Sequence, residues 1–260
     1  LVKDGSDRGI LPRVREATKL AGMRRVLLPE QTTIISLGGS MIAPNGVDVP
    51  FLTEFHRRIT AWLTEDTGRR VVLITGGGAP ARVYQQAYRA IATHPQTDLQ
   101  DWIGIAATRL NASLVKAVFG PLCPDEVVTD PTAPFTWTGR VLVASGWKPG
   151  FSTDFDAVVL AERFHATTVI NLSNIAQVYT DDPKKNPEAR PLASVTWSEF
   201  QKIVGTEWNP GLNAPFDPVA TQRASQLNLK VFVASGSDLP NLDKILRDQP
   251  FFGTVIGDRG

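Results

Sequence analysis

Hydrophobic positions along the chain fall into short β-branched runs, each stopped by glycine, that alternate with longer stretches where apolar residues recur at helical spacing. The first run, residues 32–37, ends at Gly38-Gly39-Ser40, and the second, residues 71–75, ends at Gly76-Gly77-Gly78. Between them Phe51, Leu52, Phe55, Ile59 and Leu63 predict a helix over 49–63. The same patterning predicts helices over 79–93 and 99–119 and strands over 126–128, 141–144, 169–172 and 230–234. Residues 145–154 read as a loop that opens another apolar helix. Strand, glycine turn, helix, strand is the order of a mainly parallel sheet with crossover helices. No internal repeat interrupts it.

Residues 1–30 depart from this pattern. They are mixed in charge and punctuated by Gly5, Gly9, Pro12, Gly22 and Pro29, with a short helix predicted over 11–20. We read them as an extension outside the core, with Met23 an alternative start.

Composition narrows the function. With 260 residues and 42% hydrophobic content, the chain can bury a core the size of one large α/β domain or two tightly joined lobes. Lys and Arg total 27 against 26 Asp and Glu, which argues against a nucleic-acid-coating surface but leaves room for a small anion in a local pocket. A single cysteine, Cys123, excludes an intrachain disulfide, and His56, His94 and His165 lack metal-ligand spacing, so no protein metal cluster is expected and a reducing cytoplasm fits. No apolar stretch approaches the roughly 20 residues that span a bilayer, so a soluble protein without a membrane partner is expected.

The candidate chemistry lies in the glycine turns. Glycine lets backbone approach oxyanions closely, and the helix that follows each turn offers free N–H donors. Neither turn matches G-x-x-x-x-G-K-[ST] or G-x-G-x-x-G, so a different phosphate-binding fold is required. Arg82 stands four residues beyond Gly78, where a first-turn position would point it back at the turn; a solvated helix charge is the alternative reading. Trp62, Trp102, Trp137 and Trp197 read as packing or interface residues because no basic stripe interleaves them. His56 and His165 fall within predicted helices as structural residues, and Asp181-Asp182-Pro183-Lys184-Lys185 reads as a turn.

Residues 34–40 (Ile-Ile-Ser-Leu-Gly-Gly-Ser), then Gly76-Gly77-Gly78-Ala79-Pro80-Ala81-Arg82, resemble the opening of the amino acid kinase superfamily. The Asp101 to Asn111 segment resembles its UMP kinases, specifically the short archaeal type. Pro149-Gly150-Phe151-Ser152-Thr153-Asp154 is similar to the family's acceptor loop, Val178 to Lys184 to its adenine-side turn, Phe216-Asp217-Pro218 to a later helix start, and Gly253-Thr254-Val255-Ile256 to its closing strand. The resemblance runs over about residues 32–256.

It implies a three-layer α/β/α sandwich with a mainly parallel central sheet over residues 31–257, the UMP side in about 31–165 and the ATP side in about 166–257. It further implies that Gly39, Ser40, Gly78 and Arg82 contact ATP phosphates, and that Ser173, Asn174, Tyr179 and Asp182 line the ATP site. Gly77 and Asp101 would contact UMP, with Trp147, Lys148, Pro149, Gly150, Phe151, Ser152 and Thr153 wrapping its phosphate and base. Arg82 and Lys148 would serve as cationic clamps; Asp154 would organise Lys148, backbone donors or a metal-bound water, or simply cap a helix. ATP and Mg²⁺ are the expected cosubstrate and cofactor, and a homo-oligomer, a hexamer built from dimers, the expected assembly.

Three positions depart from the family pattern. Ser36 stands where many superfamily members carry Lys, an absence shared by the archaeal-type UMP kinases and so in keeping with them; Ala176-Gln177 replaces the usual Asp-Gly; and Trp147-Lys148 replaces Thr-His. The latter two open a second expectation: an impaired member acting as nucleotide sensor, anion-storage subunit or assembly partner. Isopentenyl phosphate kinases are disfavoured because no histidine follows the glycine turn at Ala79, Pro80 or Ala81, and amino acid kinases by the Asp101 to Asn111 match.

Overall fold

The computed structural model describes residues 31–205 and 214–258, so the helix expected over 11–20 lies outside the described residues. All described residues belong to one compact unit that starts at Gln31. Its strands are β1 (Gln31–Leu37), β2 (Arg69–Thr75), β3 (Val141–Ala144), β4 (Thr168–Ser173), β5 (Val178–Tyr179), β6 (Pro191–Leu192), β7 (Ser194–Val195), β8 (Lys230–Ser235) and β9 (Thr254–Ile256). The helices are α1 (Gly39–Ile42), α2 (Val49–Glu65), α3 (Gly78–Ile91), α4 (Thr97–Phe119), α5 (Thr153–Arg163), α6 (Trp197–Val204), α7 (Pro218–Gln226) and α8 (Leu239–Leu246).

Seven strands form one sheet in the order β3-β2-β1-β4-β8-β9-β7, parallel except where β9 runs antiparallel to β8. Alternate residues of the central strands feed two separate cores, which makes the three layers. Ile35, Leu37, Val71, Leu73, Val141 and Val143 meet α2, α4 and α8 on one face. Ile34, Val72, Ile74, Leu142 and Ala144 meet α5, α6 and α7 on the other. Because both faces are covered, these strands are continuous apolar runs rather than alternating ones, as parallel sheets require.

Polar caps set the helix starts. The Asp48 carboxylate accepts from Phe51 N, Ser152 Oγ from Phe155 N, and Asp217 from Ala220 N, with Pro218 at the first position of α7. Thr196 and Glu199 close a capping box on α6.

The structure corrects two expectations. Residues 126–128 are not a strand: Val128 alone makes a single parallel bridge to Ala144, because Pro124 and Pro131 bracket too short a run to pair further. His165 lies beyond α5 at φ 53, where the chain leaves the helix, whereas His56 sits within α2 and meets the Phe119 ring at 5.0 Å. The β5–β6 hairpin, β7, α6 and α8 went unanticipated. Trp62 and Trp197 are buried packing residues as expected, donating to Leu246 O and Leu229 O.

Candidate functional site

The strand order reverses at β1, which lies between β2 and β4, and a crevice beyond the carboxyl ends of parallel strands is where such sheets bind ligands. Both glycine turns, Ser145-Gly146 after β3 and Ser173-Asn174 after β4 emerge at that edge.

The two glycine turns interlock. A Cβ on Gly39 would lie 2.0 Å from Gly78 N and 2.5 Å from the Gly76 carbonyl carbon, and Gly78 itself adopts φ +65 against Gly39 O. Gly76 N donates to Leu37 O at 2.9 Å and Ala79 N to Ala43 O at 2.8 Å. The glycines thus serve backbone-on-backbone contact as well as any approach by phosphate. Two buried residues of α4 hold the junction from behind: the Asn111 side chain donates from Nδ2 to Gly76 O at 2.7 Å, and the Thr108 main-chain carbonyl accepts from Thr75 Oγ1 at 3.0 Å. Thr108 Oγ1 also accepts from Gly146 N at 2.9 Å, so one threonine ties the second glycine turn to the acceptor loop.

The acceptor loop stands beside them. Trp147 N donates to Asp156 Oδ2 at 3.2 Å and Gly150 N to Asp101 Oδ2 at 3.0 Å. Trp147, Phe151 and Phe155 form a run of rings with centroids 5.2 and 4.6 Å apart. Lys148 Nζ lies 3.8 Å from the Trp147 centroid and 5.2 Å from that of Phe151, a cation–π arrangement that keeps its charge at the loop surface. Asp101 therefore anchors the loop through one oxygen.

Asp154 was expected to organise Lys148, backbone donors or a metal-bound water, or to cap a helix; of these the structure shows a backbone donor, Asp217 N. Ser152 caps α5 instead, and Lys148 rests on the aromatic rings. Asp154 Oδ1 accepts from Ser36 Oγ at 3.0 Å and its Oδ2 from Asp217 N at 3.2 Å, so the carboxylate bridges β1, α5 and α7. Burial, reinforced by the Asp217 charge, pushes its carboxyl up to about 6. Part of its surface stays accessible, so it lines the crevice while surrounded by protein. Burial also raises Asp217, against the Ala220 N–H that its carboxylate accepts. Asp156, on the same helix and wholly buried, is pushed up to about 8, mainly by burial.

Arg82, exposed and just past the first turn of α3, donates to Pro44 O at 3.3 Å, one residue beyond the Ala43 carbonyl that accepts from Ala79 N. Ser40 lies in α1 beside the turn. Ser173 Oγ accepts from Ile175 N, and Asn174 is exposed just beyond β4. Tyr179 lies on the β5–β6 hairpin, and Asp182 holds the following turn by accepting from Lys184 N. The hairpin is fastened to the last strand: Val178 N donates to Thr254 Oγ1 at 2.9 Å, and Thr254 Oγ1 donates to Leu192 O. Gln177 takes part, donating from Nε2 to Gly253 O at 3.1 Å. It is not among the described positive-φ residues, so this backbone does not require glycine here.

Sequence reasoning missed Thr108, Asn111, Asp156 and Asp217 as parts of the site and marked Ser36 only as a departure from the superfamily pattern. Asp217-Pro218 was legible only as a helix start; the others are buried polar residues within apolar elements, and that placement is itself a signal.

A sequence profile of the Amino acid kinase family matches residues 31–235. The uridylate kinase of Thermoplasma volcanium is 33% identical over 88% of this chain and 99% of its own length. That of Methanospirillum hungatei is 32% identical over 88% and 96%. The crystal structure of uridylate kinase from Archaeoglobus fulgidus superimposes with TM-score 0.73 at 30% identity, covering 87% of this chain and all of that one.

Proposed function

The chain belongs to the amino acid kinase family, and from that premise we propose that it transfers the γ-phosphoryl group of ATP to UMP, yielding ADP and UDP for pyrimidine nucleotide synthesis. The observation that carries the reading is the interlocked pair of glycine turns sharing Thr108 with an acceptor loop anchored on Asp101.

Phosphoryl transfer asks little covalent chemistry of a protein; it needs two nucleotides held in line and the developing charge neutralised. Gly39, Ser40 and Gly78 would receive the ATP phosphates, with Arg82 swinging from Pro44 to pair with them. Ser173, Asn174, Tyr179 and Asp182 would border the nucleoside of ATP. Gly77 and Trp147 to Thr153 would enclose UMP, with Lys148 facing its phosphate. Asp101 has a second oxygen for the ribose hydroxyls while the first holds Gly150. Asp154 would position the crevice floor by joining Ser36 to the start of α7. The UMP side falls in about residues 31–165 and the ATP side in about 166–257.

Mg²⁺ binds phosphate oxygens, water and one or two carboxylates rather than an all-protein cage. Asp217, whose buried Oδ2 has no well-formed hydrogen bond although the Ser152 hydroxyl is near, fits such a role with the ion carried in on ATP. There the ion would supply positive charge for the transferring group.

ADP release with ATP, Mg²⁺ and each of UMP, CMP, AMP, isopentenyl phosphate and glutamate tests the assignment. Turnover selective for UMP is expected; absence of turnover on every acceptor overturns it and favours the sensor or storage alternative. Arg82→Ala is expected to lower kcat by about 100-fold, the scale of losing one charge-stabilising donor; a rate near wild type counts against its role.

Activity should fall as pH drops through about 6, where Asp154 becomes protonated and its acceptance from Asp217 N weakens. Because the Asp217 charge helps raise Asp154, Asp217→Asn, which keeps the helix cap, should move this acidic limb to lower pH. A pH–rate profile with an unmoved limb would refute the coupling.

A homo-oligomer, a hexamer built from dimers, in the cytoplasm is our reading of the assembly. It draws support from exposed apolar side chains on the paired helices α3 and α4, among them Val83, Tyr84, Ile91, Trp102 and Leu110. No described helix is long and apolar enough to cross a membrane.

A further inference from the structure

The acceptor loop is tethered at its start by a carboxylate that no substrate contact requires. Asp156 is 0% exposed, lies among Ala157, Val158 and Ala161, and accepts Trp147 N at Oδ2 while its Oδ1 has no hydrogen-bond partner. A half-satisfied buried carboxyl group is destabilising whether or not it holds its proton, and α5 does not need one because Ser152 already caps it. What the group does hold is Trp147. The Trp147 ring in turn carries Lys148 Nζ at 3.8 Å and leans on Phe151. Asp130, held low first by the Thr132 hydroxyl and also by the Trp147 indole N–H, steadies the far side of the ring. Displacing the Trp147 backbone therefore displaces the cation that faces the acceptor.

We propose that Asp156 is the positioning residue of the acceptor loop: by accepting the Trp147 amide it fixes the Trp147–Phe151 platform and so the place where Lys148 meets the acceptor's phosphate, without itself reaching the nucleotide. The proposal rests on the reading of residues 147–153 as the UMP side. It makes a buried helix residue a determinant of acceptor affinity, with ATP binding independent of it.

The test compares wild type, Asp156→Ala and Asp156→Asn in steady-state kinetics with ATP, Mg²⁺ and UMP, and in amide hydrogen exchange of the full chain. Asp156→Ala should raise KM for UMP about tenfold while kcat changes less than about threefold and KM for ATP stays put. Exchange in the peptide covering residues 146–151 should quicken by about tenfold with the later turns of α5 still protected. Asp156→Asn, which keeps an acceptor oxygen for Trp147 N, should restore KM to within about threefold of wild type. Should Asp156→Ala not fold, Asp156→Ser, too short to reach Trp147, carries the same comparison. Unchanged loop exchange and UMP KM overturn the proposal, and so does a loss shared equally by both substrates and by exchange along the whole chain. A wild-type chain inactive on UMP would sink the kinase reading alone, since loop exchange decides the positioning role by itself.

Discussion

Replacing Gly39 by alanine is expected to cut kcat by at least about 100-fold, whereas Gly46→Ala should leave turnover within about twofold of wild type. The added methyl at Gly39 would lie 2.0 Å from Gly78 N, a backbone atom that cannot rotate away, while at Gly46 nothing stands within 4 Å. To admit the methyl, the two turns must part by an ångström or more, the scale of misplacement that costs about two orders of magnitude in a positioned reaction. Overpacking at such a junction also costs about 1–3 kcal/mol, so the variant should melt lower yet keep its helical circular dichroism. A Gly39→Ala enzyme with kcat within about threefold of wild type would show that the turns need not touch for catalysis.

The second large effect concerns stability and pH. The folded-state pKa of Asp156, pushed up to about 8, stands above the roughly 3.9 of an unfolded aspartate. Between those values the native state holds a proton that the unfolded chain has released, so stability must fall as pH rises through the window. Asp154, raised to about 6, contributes to the same decline at the acid end. From pH 6 to 8, Asp156 alone should cost up to about 1.4 kcal/mol per pH unit. Asp156→Asn removes that slope whatever offset its amide introduces, so denaturant titrations should show the variant gaining on wild type by roughly 2–3 kcal/mol across this interval. Parallel stability curves would mean that Asp156 is already ionised at neutral pH.

Much of the architecture was legible because a parallel sheet covered on both faces leaves continuous apolar runs, and each run here stops at glycine or serine. β1, β2, β3, β4 and β8 announced themselves in this way. β5, β6 and β7 could not, since two-residue strands carry no period; they exist because Thr254 and its neighbours offer them bonds. The site followed the same division. The glycine turns and the acceptor loop are local signals. The bridge through Asp154 is not, because Ser36 and Asp217 lie 118 and 63 residues away from it in sequence. Arg82 was placed on the right helix, but spacing along a helix fixes a face and not which neighbour a long side chain selects, here the Pro44 carbonyl.

The clasp between Thr254 and the β5–β6 hairpin bears on how the protein comes into being. Val178 and Leu192 both wait on a hydroxyl more than sixty residues downstream, and Gln177 waits on the carbonyl of Gly253. During synthesis the paired glycine turns and the 145–152 loop can assemble while the ribosome is still at work, since their bonded partners lie upstream of α6. The β5–β6 hairpin has to wait until the final strand emerges. On the function proposed above, a nascent chain would acquire its acceptor side first and its donor side last, and a ribosome stalled just short of Gly253 would hold a protein shaped for one nucleotide and not yet for two.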